Sequence, residues 1–156
     1  MFEKILVPLD GSELAEAVFP YIEEVSKKFG SALVIMQSIQ TVARVDMTPG
    51  GAEGEPAVVV YPQSISEIHD ADHAAANAYL SGVSAKLVAA GVAVSTVVGE
   101  GDPADSILDE IKKSGIQLIA ISTHGRSGVE RAIMGSVADR LIRDSGIPVL
   151  VIRPRG

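Results

Sequence analysis

Five short apolar runs, separated by segments of helical periodicity, constrain this chain more than any other feature. Lys4 to Pro8, Ala32 to Ser38, Val92 to Val98, Leu118 to Ser122 and Val149 to Ile152 are rich in apolar residues that run on instead of alternating. That is the pattern of strands buried on both faces. Leu14, Val18, Tyr21, Ile22, Val25 and Phe29 follow the first run at helical spacing, and Gly30 stops them in the manner of a C′ glycine. Pro20 interrupts this pattern. An interior proline costs about 3 kcal/mol, so we expect a kink there or a first turn that starts later than Ser12. Ser64-Ile-Ser-Glu67 is a capping-box pattern that opens a long helix through Ile68, Ala71, Ala75, Tyr79, Val83 and Leu87 to Gly91. Asp102 and Pro103 suit the N-cap and N1 positions of the next helix, whose stripe is Ile107, Leu108 and Ile111 and whose stop is Gly115. Val137 to Arg143 forms the last helical pattern, and it ends at Gly146.

The order is therefore βαβαβαβαβ, which predicts a parallel sheet covered on both faces with right-handed crossovers. Ligands of such sheets bind beyond the carboxyl ends of the strands, where strand order reverses. Two loops fall at that end. The first, Pro8-Leu9-Asp10-Gly11-Ser12, has two candidate helix caps, Asp10 and Ser12. The second runs from Ser122 to Ser136 and reads Ser-Thr-His-Gly-Arg-Ser-Gly-Val-Glu-Arg-Ala-Ile-Met-Gly-Ser. Small residues between a strand and a helix start let a ligand approach the backbone closely. Ser136 with Asp139 three residues on matches a capping box, and a helix N-terminus suits a phosphate. Arg126 and Arg131 lie in the same segment and are fit to contact an anion. The same residues also suit a tight turn with Ser136 as its cap, so spacing alone leaves both readings open.

Composition narrows the classes. The 156 residues are enough for one domain with its own core. Hydrophobic residues make up 47% and aromatics only 4%, so that core must be aliphatic. A formal charge of -7 argues against nucleic acid as a partner. The absence of cysteine removes disulfides, thiolate metal sites and cysteine nucleophiles. The opening apolar run is too short for a signal peptide, and no run approaches a membrane span. A cytoplasmic protein with no membrane partner is expected. Residues 40–63 are irregular, with Pro49-Gly50-Gly51, Gly54, Pro56 and Pro62 around one apolar patch, Val58 to Tyr61. A loop of that length reads as an insertion or lid. His69 and His73 are four apart on the long helix. With no carboxylate or third histidine evident beside them, we read them as a solvated face.

Several nucleotide motifs are absent. The chain has no P-loop and no Gly-x-Gly-x-x-Gly after the first strand. A receiver domain would need a phospho-acceptor Asp after the third strand and a Lys after the fifth. Gly99-Glu100-Gly101-Asp102 and Arg153-Pro154 stand there instead. Ser122-Thr-His-Gly125, nine residues from Arg126 to Met134, then Gly135-Ser136 is similar to the motif Gly-x-x-Gly, nine residues, Gly-Ser/Thr of the ATP-binding universal stress proteins. Pro8 to Ser12, Gly99 to Pro103 and Pro148 to Ile152 resemble further landmarks of that family, and the resemblance covers essentially the whole chain. Ser122 replaces the motif's first glycine, where its hydroxyl would either crowd a nucleotide or donate a hydrogen bond to it.

The fold so expected is α/β: one domain, 1–156, with an open parallel five-stranded sheet, helices on both faces, Rossmann-like and similar to adenine nucleotide alpha hydrolases, in strand order 3-2-1-4-5. The resemblance implies nucleotide-binding residues Pro8, Leu9, Asp10, Ser38, Ser122, Gly125, Arg126, Gly128, Gly135, Ser136 and Val137. Pro8 and Asp10 would line the adenosine end and Ser38 would sit near the adenine. Gly125, Arg126, Gly135, Ser136 and Val137 would hold the ribose and phosphates, mainly through backbone N–H groups. The ligand would be ATP, with ADP or AMP as alternatives, and Mg²⁺ or Mn²⁺ would ride on its phosphate oxygens with no side-chain ligand. A homodimer through Val149 to Ile152 is also implied, since an exposed apolar sheet edge needs cover. Asp10 is the one carboxylate expected near the crevice and His124 reads as a turn residue, so slow hydrolysis at most is expected of a stress-response module. The alternatives are a nucleotide-free dimeric interaction protein and a genuine ATPase with 40–63 as its lid.

Overall fold

Strand β1 (Lys4–Leu9) centres the fold because its side chains divide between two cores. The computed structural model describes residues 1–40, 46–48, 57–59, 62–123 and 135–154. Ile5, Val7 and Leu9 point to one face and Leu6 to the other, the two-residue alternation of a strand. β2 (Ala32–Ile39) lies parallel to β1 in the register Leu6↔Val34 and Leu9↔Gln37. β5 (Val94–Glu100) pairs with the far side of β2. β6 (Leu118–Ser122) takes the other side of β1, and β7 (Val149–Ile152) follows it. The order β5-β2-β1-β6-β7 is the expected 3-2-1-4-5.

On the first face, Ile5, Val7, Leu33, Ile35, Leu118 and Ala120 pack against Val18, Ile22, and Leu80, Val83 and Leu87. On the second, Leu6, Val34, Met36, Ile119 and Ile121 meet Ile107, Ile111, Ala138 and Leu141. These residues are almost wholly aliphatic, as the composition requires. A fully buried Ile or Leu such as Ile5, Leu33 or Leu141 contributes about 1.5–3 kcal/mol.

The structure corrects several boundaries. Pro20 does not kink a helix. Helix α1 (Glu13–Glu16) is capped by Ser12 and stops, and α2 (Phe19–Phe29) begins afresh with Pro20 in its first turn, where a proline's missing N–H has no intrahelical partner to lose. The third main strand runs Val94–Glu100, two residues later than the expected Val92 to Val98. Helix α3 (Pro62–Ala89) starts two residues before the Ser64 box. Within 40–63, β3 (Asp46–Thr48) and β4 (Ala57–Val59) form a short antiparallel ladder, Asp46↔Val59 to Thr48↔Ala57. Helix α4 (Pro103–Ser114) has Asp102 as its cap, whose side chain accepts from Asp105 N at 3.0 Å. Helix α5 (Ser136–Asp144) takes Gly135, not Ser136, as N-cap. The expected capping box therefore does not form, and Asp139 pairs with Arg143 at 3.0 Å instead.

Gly99 is required by close approach. A Cβ there would overlap Ser106 Oγ and Met36 Cε, so the bare backbone lets the first turns of α4 seat against the end of β5.

Candidate functional site

A parallel strand alternates the neighbour to which its backbone groups point. Glu3 C=O accepts from Ala32 N, at 2.8 Å on the β2 side, and Lys4 C=O accepts from Gln117 N, at 3.0 Å on the β6 side. Continuing that alternation turns the backbone nitrogen of Pro8 toward β6, and a proline has no N–H to offer. Pairing between β1 and β6 is registered at Ile5↔Leu118 and Leu6↔Ile119, whereas β1–β2 pairing runs on to Leu9↔Gln37. Beyond residue 6 no further β1–β6 pair is registered, and a cleft of about 570 Å³ is lined by the ends of both strands.

Five elements line this cleft. Pro8, Leu9 and Asp10 come from the end of β1, and Leu14 and Ala15 from α1. Ile121, Ser122 and Thr123 come from the end of β6, and Pro103 and Ile107 from α4. Gly135, Ser136, Val137 and Ala138 supply the N-terminal turn of α5. Helix start and strand ends thus meet at the point where strand order reverses.

Polar groups are few and placed. Asp10 Oδ1 accepts from Ser12 N at 2.9 Å and Ser12 Oγ at 2.6 Å, while Ser12 Oγ accepts from Ala15 N at 3.1 Å. One carboxylate oxygen is thereby committed to the loop, which fixes the side chain at the cleft. No side chain among the described residues caps α5, and its first turn lines the cleft, bringing unpaired N–H groups and the positive end of the helix dipole to it. The hydroxyls of Ser122 and Thr123 are buried and have no hydrogen-bond partner among the described residues. Such groups cost about 1–3 kcal/mol when left unpaired, which favours a ligand that can pair them. Arg140 holds the far wall: it contacts Asp102, Asp105 and Asp144, tying α5 to the start of α4. The Asp105 hydrogen bond, opposed by some desolvation, raises its already high pKa.

The structure brings Pro8, Leu9, Asp10, Ser122, Gly135, Ser136 and Val137 together on one cleft. Ser38 stands apart. It follows the Leu9↔Gln37 pair on β2 and does not line the cleft, although its Oγ is buried without a partner among the described residues. Gly125, Arg126 and Gly128, with His124 and Arg131, lie outside the described residues. Sequence reasoning missed Leu14, Ala15, Pro103, Ile107, Ile121, Thr123 and Ala138. Pro103 and Ile107 were legible as N1 residue and core stripe, but only the packing of α4 turns them toward the cleft.

Fold and site together define a class: an open parallel α/β protein with a preformed, mostly apolar cleft at its topological switch point. Within that class the chain belongs to the universal stress protein family, whose family model matches residues 1–153. It is similar to a universal stress protein of Methanocaldococcus jannaschii, 30% identical over 153 residues, with 98% of this chain and 83% of that one covered. Among solved structures, UspA from Lactobacillus plantarum superposes with a TM-score of 0.73 at 22% identity, over 97% and 98% of the two chains. A universal stress protein in complex with cAMP (TM-score 0.67, 17% identity, 99% and 98% covered) and one from Arabidopsis thaliana with AMP bound (0.63, 16%, 98% and 92%) share the fold.

Proposed function

We propose that this protein is an adenine-nucleotide-binding stress-response module with ATP as its ligand and ADP or AMP as alternatives. The observation that carries the reading is the cleft itself, where the N-terminal turn of α5, with no side-chain cap among the described residues, and Asp10 share one lining with the ends of β1 and β6. The helix start suits phosphates and a carboxylate suits the ribose hydroxyls. Solved family members with AMP and cAMP bound support the ligand class. In this reading Pro8, Leu9 and Asp10 hold the nucleoside. Ser122, Gly135, Ser136 and Val137, with Gly125, Arg126 and Gly128, hold the ribose and phosphates, and Ser38, outside the cleft lining, is proposed on the adenine side from the family resemblance alone. Mg²⁺ or Mn²⁺ neutralises phosphate charge when bound. Asp10 is the one carboxylate among the described lining residues, which favours an ion carried by the phosphate oxygens. The same scarcity of acid–base groups supports slow hydrolysis at most. The whole chain acts as one cytoplasmic domain, with 40–63 as an irregular insertion, and dimerises through β7, a strand at the sheet edge.

Calorimetric titration of ATP·Mg²⁺ into wild type and Gly135→Val tests the reading. Gly135 has φ -55° and ψ 145°, which a β-branched residue can adopt, and a Cβ there meets nothing within 4 Å among the described residues. Because Gly135 lines the cleft, valine there should add bulk at the site. Micromolar binding lost in the variant is the expected result. No binding by the wild type would refute it.

A further inference from the structure

The two histidines read as a solvated face are not alone. His69 Nε2 lies 3.3 Å and His73 Nε2 3.2 Å from the same oxygen, Glu100 Oε1. One ligand atom of each residue falls within 4.8 Å of the other two. Two ligands each about 2.0–2.1 Å from a tetrahedral ion stand about 3.3 Å apart, so both histidine–carboxylate spacings already match. Two imidazoles at i and i+4 on one helix face are a recurrent way to hold zinc, and a strand-borne carboxylate completes three ligands.

The supports are also in place. Glu100 ends β5 in register with Ile39, and Gly101 N donates to Ile39 C=O at 3.0 Å, which fixes the backbone beneath the carboxylate. Asn77 stands 3.5 Å from His73 Nδ1, and Asp70 Oδ1 lies 3.7 Å from His69 Nδ1. With the Asn77 amide rotated end for end and Asp70 drawn closer, both second ring nitrogens would gain an acceptor, as the outer shell of a histidine-bound metal requires. The three side chains are between about one-third and two-thirds exposed, so solvent reaches a fourth coordination position.

Helix geometry says what an ion would accomplish. A helix of 28 residues runs about 42 Å, and a strand of eight residues, β2, about 26 Å. Helix α3 therefore overhangs the sheet. Its buried stripe is Ala76, Leu80, Val83 and Leu87, and no residue from 65 to 75 is buried. His69 and His73 sit on that lightly packed half.

We propose that His69, His73 and Glu100 form a three-ligand site for a divalent transition-metal ion of the zinc class, and that the ion clasps the overhanging half of α3 to the sheet-edge strand β5. The imidazole pair selects zinc, cobalt or nickel over magnesium and calcium, which prefer all-oxygen sets. This site is separate from the nucleotide cleft, whose lining contains none of the three residues.

The test uses untagged, chelator-stripped full-length protein without nucleotide. Zn²⁺ is titrated by calorimetry and Co²⁺ by its visible absorption, while hydrogen exchange is followed over residues 65–75. One equivalent should bind, and exchange in that segment should slow. His73→Ala and the near-isosteric Glu100→Gln should each weaken binding at least about tenfold, as loss of even an outer-shell partner does, and His69→Ala/His73→Ala should abolish both effects. His124→Ala should leave them unchanged. Absence of binding to the wild type, wild-type affinity in the double variant, or loss of the ion in His124→Ala would overturn the site. Binding without slowed exchange would overturn the clasp.

Discussion

Arg140 Nη1 donates to Asp102 Oδ1 at 3.0 Å, and that same oxygen accepts from Asp105 N as the N-cap of α4. One atom thus closes the first turn of α4 and receives the arm of α5. Both helices wall the cleft. Asp102→Ala should cost about 1 kcal/mol of stability in urea denaturation and weaken ATP binding. Asp102→Asn keeps a capping oxygen and should lose well under half as much. Equal losses would show that charge, not capping, is what matters there.

Tyr79 offers a pH signature. Burial, then its hydrogen bond to Glu16 at 3.1 Å, push the phenol above tyrosine's ordinary value of 10.0. A raised folded value means that the contribution is fully present below pH 10 and is lost as pH rises toward the folded value. Wild-type stability should therefore fall more steeply above about pH 10 than that of Tyr79→Phe. At neutral pH the variant should lose about 0.5–1.5 kcal/mol for the missing hydrogen bond. Parallel stability curves above pH 10 would contradict this.

Gly99→Ala places a methyl on Ser106 Oγ and Met36 Cε. The expected cost is about 1–3 kcal/mol, as for other overpacked sites, with no effect on helix propensity elsewhere. An unchanged denaturation midpoint would mean that α4 shifts freely.

Ser122→Ala removes a buried hydroxyl that has no partner among the described residues. Stability of the ligand-free protein should be unchanged or slightly higher. ATP affinity should drop about fivefold, equivalent to about 1 kcal/mol, if the hydroxyl pairs with the nucleotide. Tighter binding by the variant would show that the serine crowds the ligand instead.

Strand β7 is an edge of the five-stranded sheet, and Val149, Leu150 and Val151 are half-buried. Equilibrium sedimentation at micromolar concentration should give a dimer. A monomer alone would remove β7 as an interface.

Much of this fold is legible because parallel strands are buried on both sides. Leu118 to Ser122 and Val149 to Ile152 read as strands at their observed bounds, since every position but Ser122 faces one core or the other. Termini are less legible. Val92 and Ala93 look like strand residues, yet Gly91 and the return from α3 use them as connection. Ser136 resembles a cap, but Gly135 takes the position because its φ and ψ are extended there while Ser136 is already helical. Seven of the residues implied by the motif resemblance reach the cleft because they sit at strand ends or at the start of α5. The His–Glu cluster was invisible for the opposite reason. Glu100 lies 31 residues from His69 and 27 from His73, and only the seating of α3 against β5 makes them neighbours.

Pro8 shapes what a ligand meets. Two adjacent strands normally compete with any guest for the space between them, since each added rung of their ladder would draw them shut. Here position 8 has no donor to form the next rung toward β6, so the end of that ladder is written into covalent structure. Between the two strands there is no rung for a guest to break. Association then needs no unzipping step, and its speed is set by encounter and orientation.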